Sequence, residues 1–254
     1  MITLFRRIRQ NLIESGSLIK YLLYAIGEIL LVVVGILIAL QVDTWNTERE
    51  NRVLEQQMLM NLRDEIRTNQ RELKRDNDLN TQSLDAWYQL LDANRVNYSP
   101  EKTDSLIGHA FNFATFDART GVIDEIIASG SLKLIKDEKL KFMISQWSGE
   151  LNDLREDVVI RRDFWVNVVQ PLFQTYIPTR NSERTQVRSD YNREIKVEPI
   201  HVDRQNYERF FNSLEVDGAI YTSYLNQSFV HTNETNIAAD LDEFLEIVEA
   251  NIHD

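Results

Sequence analysis

The sequence predicts an all-α protein, an N-terminal transmembrane helix continuing into an elongated antiparallel helical bundle. Three observations carry that prediction. Leu22–Leu40 is an apolar run of nineteen residues interrupted by a single charge, Glu28. Downstream, apolar residues recur three and four apart over long stretches, the period of an amphipathic helix rather than of a strand. Gly (8) and Pro (4) are scarce, while 27% of the residues are charged. That composition favours long helices over short, turn-linked strands.

The chain divides into a short basic segment (1–20), a membrane helix (21–42) and an acidic helical region (43–254). At 1.5 Å per residue the apolar run is about 28 Å long, close to the hydrocarbon thickness of a bilayer. No small-x-small cleavage site follows it, the exit reading LQVDTWN, so it reads as an uncleaved signal anchor. Arg6, Arg7, Arg9 and Lys20 precede the run, whereas Arg49 and Arg52 follow it among acids. That asymmetry keeps the N-terminus inside the cell. Ile2, Phe5, Ile8 and Leu12 share a helical face away from the arginines, the pattern of a short helix lying on an anionic leaflet. Glu28, Gly35 and Ala39 also share a face. Gly35-x-x-x-Ala39 is a small-xxx-small pair that lets two helices approach closely, with one polar group in the same stripe. The alternative places Glu28 at the inner interface beside Lys20.

Beyond the membrane, Leu59, Leu62, Ile66, Asn69 and Leu73 form a coiled-coil-like seam with an Asn inside it. The same phase meets Asp76 and Asn80, where the seam turns polar before Leu84, Trp87, Leu90 and Leu91. Ser99-Pro100 supplies a cap and a first-turn proline for a short helix through Phe111. Ile123, Ile126 and Ile127 mark another short helix, which Gly130 can end in a left-handed conformation. Asp137 caps a long helix carrying Leu140, Met143, Trp147, Leu151, Leu154, Val158 and Trp165, with Pro171 and Pro178 marking its end. Residues 178–200 are polar and turn-rich, with a short extended stretch at Ile195–Val197. A last helix carries Ala238, Leu241, Leu245, Val248 and Ile252 and reaches back toward Ile220 and Tyr224.

Two blocks, KYLLYAIGEILLVVVGILIALQVDTWN (Lys20–Asn46) and ASGSLKLIKDEKL (Ala128–Leu140), resemble an uncharacterised family of bacterial single-pass membrane proteins, a domain of unknown function. Its members combine a GEIxLVVIGILIALQ-like anchor with an all-helical remainder. The resemblance implies an inner-membrane protein with a periplasmic domain and brings no catalytic residue with it.

Chemistry is sparse. There is no Cys, no phosphate-binding Gly loop and no nucleophile elbow. His109, His201, His231 and His253 are scattered, and Glu198-Pro-Ile-His201 has a ligand-like spacing but lies beside a proline. No catalytic residue, cofactor or metal is expected. Regions 1–20 and 21–42 carry +3 and −1, so the −12 total leaves −14 for residues 43–254. A region that acidic repels nucleic acid and anionic lipid. Two surfaces remain as candidates. Phe111, Phe113 and Phe116 cluster where periodicity is lost, either plugging the bundle end or lining a recognition groove. Arg180, Arg184 and Arg188 lie four apart, either a solvated loop or a docking loop for an anionic partner. The expected partners are the bilayer and a protein, or a second copy through the membrane helix. The expected role is a membrane-anchored interaction or scaffold module. The alternative is an extracytoplasmic ligand-sensing domain signalling through a membrane partner.

Overall fold

A computed structural model describes residues 18–185 and 198–253, with side chains 18, 20, 21 and 183–185 left aside. The described residues are mostly helical and contain no strand. Helix α1 spans Leu18–Leu90, and the chain separates into two compact units at Gln56/Gln57.

In the first unit the described residues belong to the opening part of α1. This helix is long and apolar enough to cross a membrane. Its most apolar window has no buried residue. Glu28, Gly35 and Ala39 are all exposed, and open space surrounds the position a Cβ would take at Gly35.

The second unit is built on three long helices: the remainder of α1, α4 (Glu138–Phe164) and α7 (Leu214–Asn251). Their polar pairs set the directions. Arg67–Glu249, Gln70–Asp242 and Asn80–Glu234 run α1 against α7. Lys139–Glu243, Asp157–Asn233 and Arg161–Gln227 run α4 against α7. Helix α7 is thus antiparallel to both of its neighbours. Shorter helices lie between: α2 (Pro100–Phe111), α3 (Gly121–Ala128), α5 (Gln170–Gln174) and α6 (Arg204–Phe211).

The helix starts follow local chemistry. Ser99 accepts from the Lys102 amide, Asp137 from Leu140 and Ser213 from Val216, each satisfying a donor that the first turn cannot. Gly130, at φ 70°, is the left-handed residue that turns the chain after α3. Pro171, expected to end the long helix, does not. One π-helical turn, Trp165–Val169, joins α4 to α5, and the helical path continues to Gln174. The wider turn includes Asn167, whose carbonyl a regular helix would press against the Pro171 ring. The extended stretch expected at Ile195–Val197 lies outside the described residues.

Two apolar clusters fill the unit. One gathers Leu59, Leu62, Ile66 and Leu73 of α1 with Trp147 and Leu154 of α4 and Leu241 and Phe244 of α7. The other gathers Trp87 and Leu90 with Phe173, Phe210 and Ile220. Along α1 and α7 several inward-facing positions at and between these clusters carry buried polar side chains.

Candidate functional site

The polar layer is drawn from all three long helices. Helix α1 contributes Asp76, Asn80 and Ser83, α4 contributes Arg161, and α7 contributes Ser223, Gln227 and Glu234, each at most 6% exposed. The seam that turns polar at Asp76 and Asn80 therefore stays in the core. A buried polar group needs a partner, and the partners explain the burial.

Asn80 is the hub. Its Nδ2 donates to Glu234 Oε1 (2.7 Å) and to the Ala114 carbonyl (3.2 Å), and its Oδ1 accepts from the Ala114 amide (3.0 Å). The Gln227 amide donates to the Asn80 carbonyl at 3.0 Å. Arg161 reaches the same point from α4. Its Nη1 donates to Gln227 Oε1 (3.1 Å) and Asn80 Oδ1 (3.3 Å), and its Nη2 to the Ala114 carbonyl (2.8 Å). The guanidinium also lies over the Phe113 ring, 4.4 Å from its centroid, a cation–π contact made away from water.

Among the described residues, each of those Arg161 hydrogen bonds ends on a neutral oxygen. Glu234 is its counter-charge through space rather than by contact. Desolvation dominates both groups. Burial pulls the Arg161 pKa down to about 10. Burial also raises Glu234 to about 7, against the lowering effects of Asn80 and Arg161 and with help from Asp76. Glu234 Oε2 and Arg161 Nε have no hydrogen-bond partner among the described residues.

Asn80 belongs to a row of α1 side chains that hold an irregular strap, residues 112–120, and its flanks against the bundle. Ser83 donates to the Ala110 carbonyl at 2.7 Å. Asn69 brackets Arg119, donating to its carbonyl and accepting from its amide at 2.8 Å each. Glu65 accepts from the Val122 and Ile123 amides at 2.8 and 3.3 Å. It thereby caps α3, whose own Thr120 makes no side-chain cap. Burial raises the Glu65 pKa although these amides oppose it. The strap lacks a neighbouring strand, and two asparagines supply the amide and carbonyl such a strand would offer.

The aromatic candidates lie within this unit rather than on an open face. Phe111 packs with Trp87, Trp165 and Phe173. Phe113 lies between Arg161 and Trp165, and Phe116 is buried in the first apolar cluster. Arg180 is exposed. The Arg184 side chain and all of Arg188 fall outside the described residues. Glu28, Gly35 and Ala39 belong to the other unit. His231 is half-buried, with its Nδ1 unpartnered. No group of three or more His, Asp or Glu side chains able to hold a metal occurs among the described residues.

The sequence reading passed over Arg161, Gln227 and Glu234, although a signal was present. Arg161 falls in the spacing 154, 158, 161, 165 of the α4 core stripe, and Glu234 falls in the spacing 227, 230, 234, 237, 241 of α7. A charge at a core position is the pattern to look for.

Beside Arg161 lies a cavity of about 10 Å³, lined by Trp87, Phe113, Phe164, Trp165, Ser223, Asn226 and Gln227. That volume admits about one water. Outside the polar layer, α7 presents a different surface. Leu214, Tyr221 and Phe229 are 90%, 53% and 57% exposed. With exposed Gly218 and half-buried Leu225 they form one stripe, spaced 4, 3, 4, 4, on the outer face of α7. No family model, no curated protein and no solved structure matches this chain.

Proposed function

We propose that the chain is a membrane-anchored interaction module, its helical unit held outside the cytoplasm by the 21–42 span to bind another protein. The outer stripe of α7 is the observation that carries this reading. A soluble surface rarely exposes large apolar side chains in register along one helix without a partner, and 4-3-4-4 is the spacing by which one helix receives another. Residues 43–254 carry −14, so the fitting partner is an apolar helix bordered by Lys or Arg; an equally acidic second copy is disfavoured there. The face of Glu28, Gly35 and Ala39 is a second contact, made inside the membrane with a partner helix or another copy.

The role proposed is binding rather than catalysis, because the titratable layer around Asn80 is enclosed. A ligand-sensing role would need more room than the layer's own cavity of about 10 Å³ gives an organic molecule. Photo-crosslinking residues placed singly at Tyr221, Phe229 and, as a control on the exposed but polar part of α7, Asn236 test the reading in native membranes. The expected result is one discrete heterologous adduct from positions 221 and 229, absent from 236. Equal labelling from all three positions, or none, would remove the stripe as the binding surface.

A further inference from the structure

We infer that the cavity beside Arg161 is a binding site for one water molecule, which accepts from the Arg161 Nε–H and the Trp165 Nε1–H and donates to Ser223 Oγ. Three features meet there. The volume, about 10 Å³, is that of a single water. Three residues lining it, Arg161, Trp165 and Ser223, each carry a buried polar atom without a partner among the described residues: Nε, Nε1 and Oγ. Arg161 is 4% and Ser223 6% exposed, so bulk solvent does not supply what they lack.

The position follows from the fold. Arg161 and Trp165 are four apart and adjacent on one helical face. Trp165 opens the π turn, where the helix widens and a gap beside it forms readily. Ser223 faces that gap from α7, one turn before Gln227, which already takes an Arg161 N–H. A guanidinium N–H and an indole N–H left unpaired in the interior each forfeit the hydration they have in the unfolded chain. One water with two acceptor lone pairs and two protons answers both donors and bonds to Ser223 as well. The donors rule out a bare cation, and the volume rules out an organic ligand. A halide would fit the donors but needs more space than a water and would have to displace the aromatic lining.

The test is a crystal structure of the full chain at a resolution that shows ordered water, with a second crystal soaked in bromide and measured at the bromine edge. The expected result is one density peak within hydrogen-bond distance of Arg161 Nε, Trp165 Nε1 and Ser223 Oγ, with no anomalous signal after the soak. An anomalous peak would make the site an anion site and overturn the inference. So would an empty cavity. Trp165→Phe removes one donor while keeping the aromatic wall, and Ser223→Ala removes the acceptor. The peak should weaken or vanish in each variant, with the helical circular dichroism spectrum retained. Full occupancy in both variants would show that these groups do not hold it, and would equally overturn the assignment.

Discussion

Arg161 occupies a position that the spacing of α4 reserves for an apolar side chain, and it is held there by carbonyl and amide oxygens instead of a carboxylate. Its charge is offset at a distance by Glu234, to which burial gives a stability signature of its own. The Glu234 pKa is raised from 4.5 to about 7, so the folded chain holds that proton more tightly than the unfolded one. Stability from this group is present at low pH and lost as pH rises from about 4.5 through about 7. At 1.36 kcal/mol per unit, the loss is about 3 kcal/mol. Asp76, which faces the group from α1, adds to the shift, and Arg161 opposes it. Glu65, Asp157 and Asp240 are raised as well and slope the same way. Urea unfolding at pH 5 and pH 8 should therefore show lower stability at pH 8, and Glu234→Gln should remove the largest part of that difference. An unchanged slope in Glu234→Gln would mean that the carboxylate is already ionised in the folded state at pH 5.

At the scale of elements, the parts legible in sequence were those set by local chemistry. Ser99-Pro100, Gly130 and Asp137 mark their boundaries because a cap or a left-handed turn needs only its near neighbours. Asn69 and Asn80 were visible as breaks in an apolar seam, but their reason was not, since Arg119 and Ala114 lie 50 and 34 residues away. The π turn was hidden for a related reason: a proline normally ends a helix, and only the packing of Val169 and Phe173 in the second cluster shows why this one continues. The apolar part of α1 poses its question in one element. Gly35 has no Cβ and nothing within 4 Å of where one would lie, so a larger residue there is harmless to this chain alone. Gly35→Leu should nevertheless block close helix approach and reduce in-membrane crosslinking, whereas Leu37→Ala on another face should change it little. If both variants crosslink as the natural sequence does, the face of Glu28, Gly35 and Ala39 is lipid-facing and packs against nothing.

For the whole molecule, the proposed role turns on which side of a membrane the helical unit would occupy if α1 crosses one, as its length and apolar composition allow. Among the described residues none in the most apolar window of α1 is buried, and apolar surface left exposed there is unfavourable in water by about 25 cal/mol for each Å². A bilayer removes that cost. Orientation then rests on Lys and Arg near the ends, because translocating them is disfavoured. Four lie in residues 1–20 and two in residues 43–52. The acids among the latter contribute little, since the rule counts positive charge rather than net charge. Trp45, 69% exposed just after the apolar run, suits the headgroup region on the receiving side. The chain has no Cys, so Ser15→Cys and Asn251→Cys each create a single reactive thiol without disturbing a native one. In intact spheroplasts a membrane-impermeant maleimide should label Asn251→Cys at once and Ser15→Cys only after permeabilisation. Labelling of Ser15→Cys from outside would invert the topology, and with it the compartment proposed for the outer face of α7.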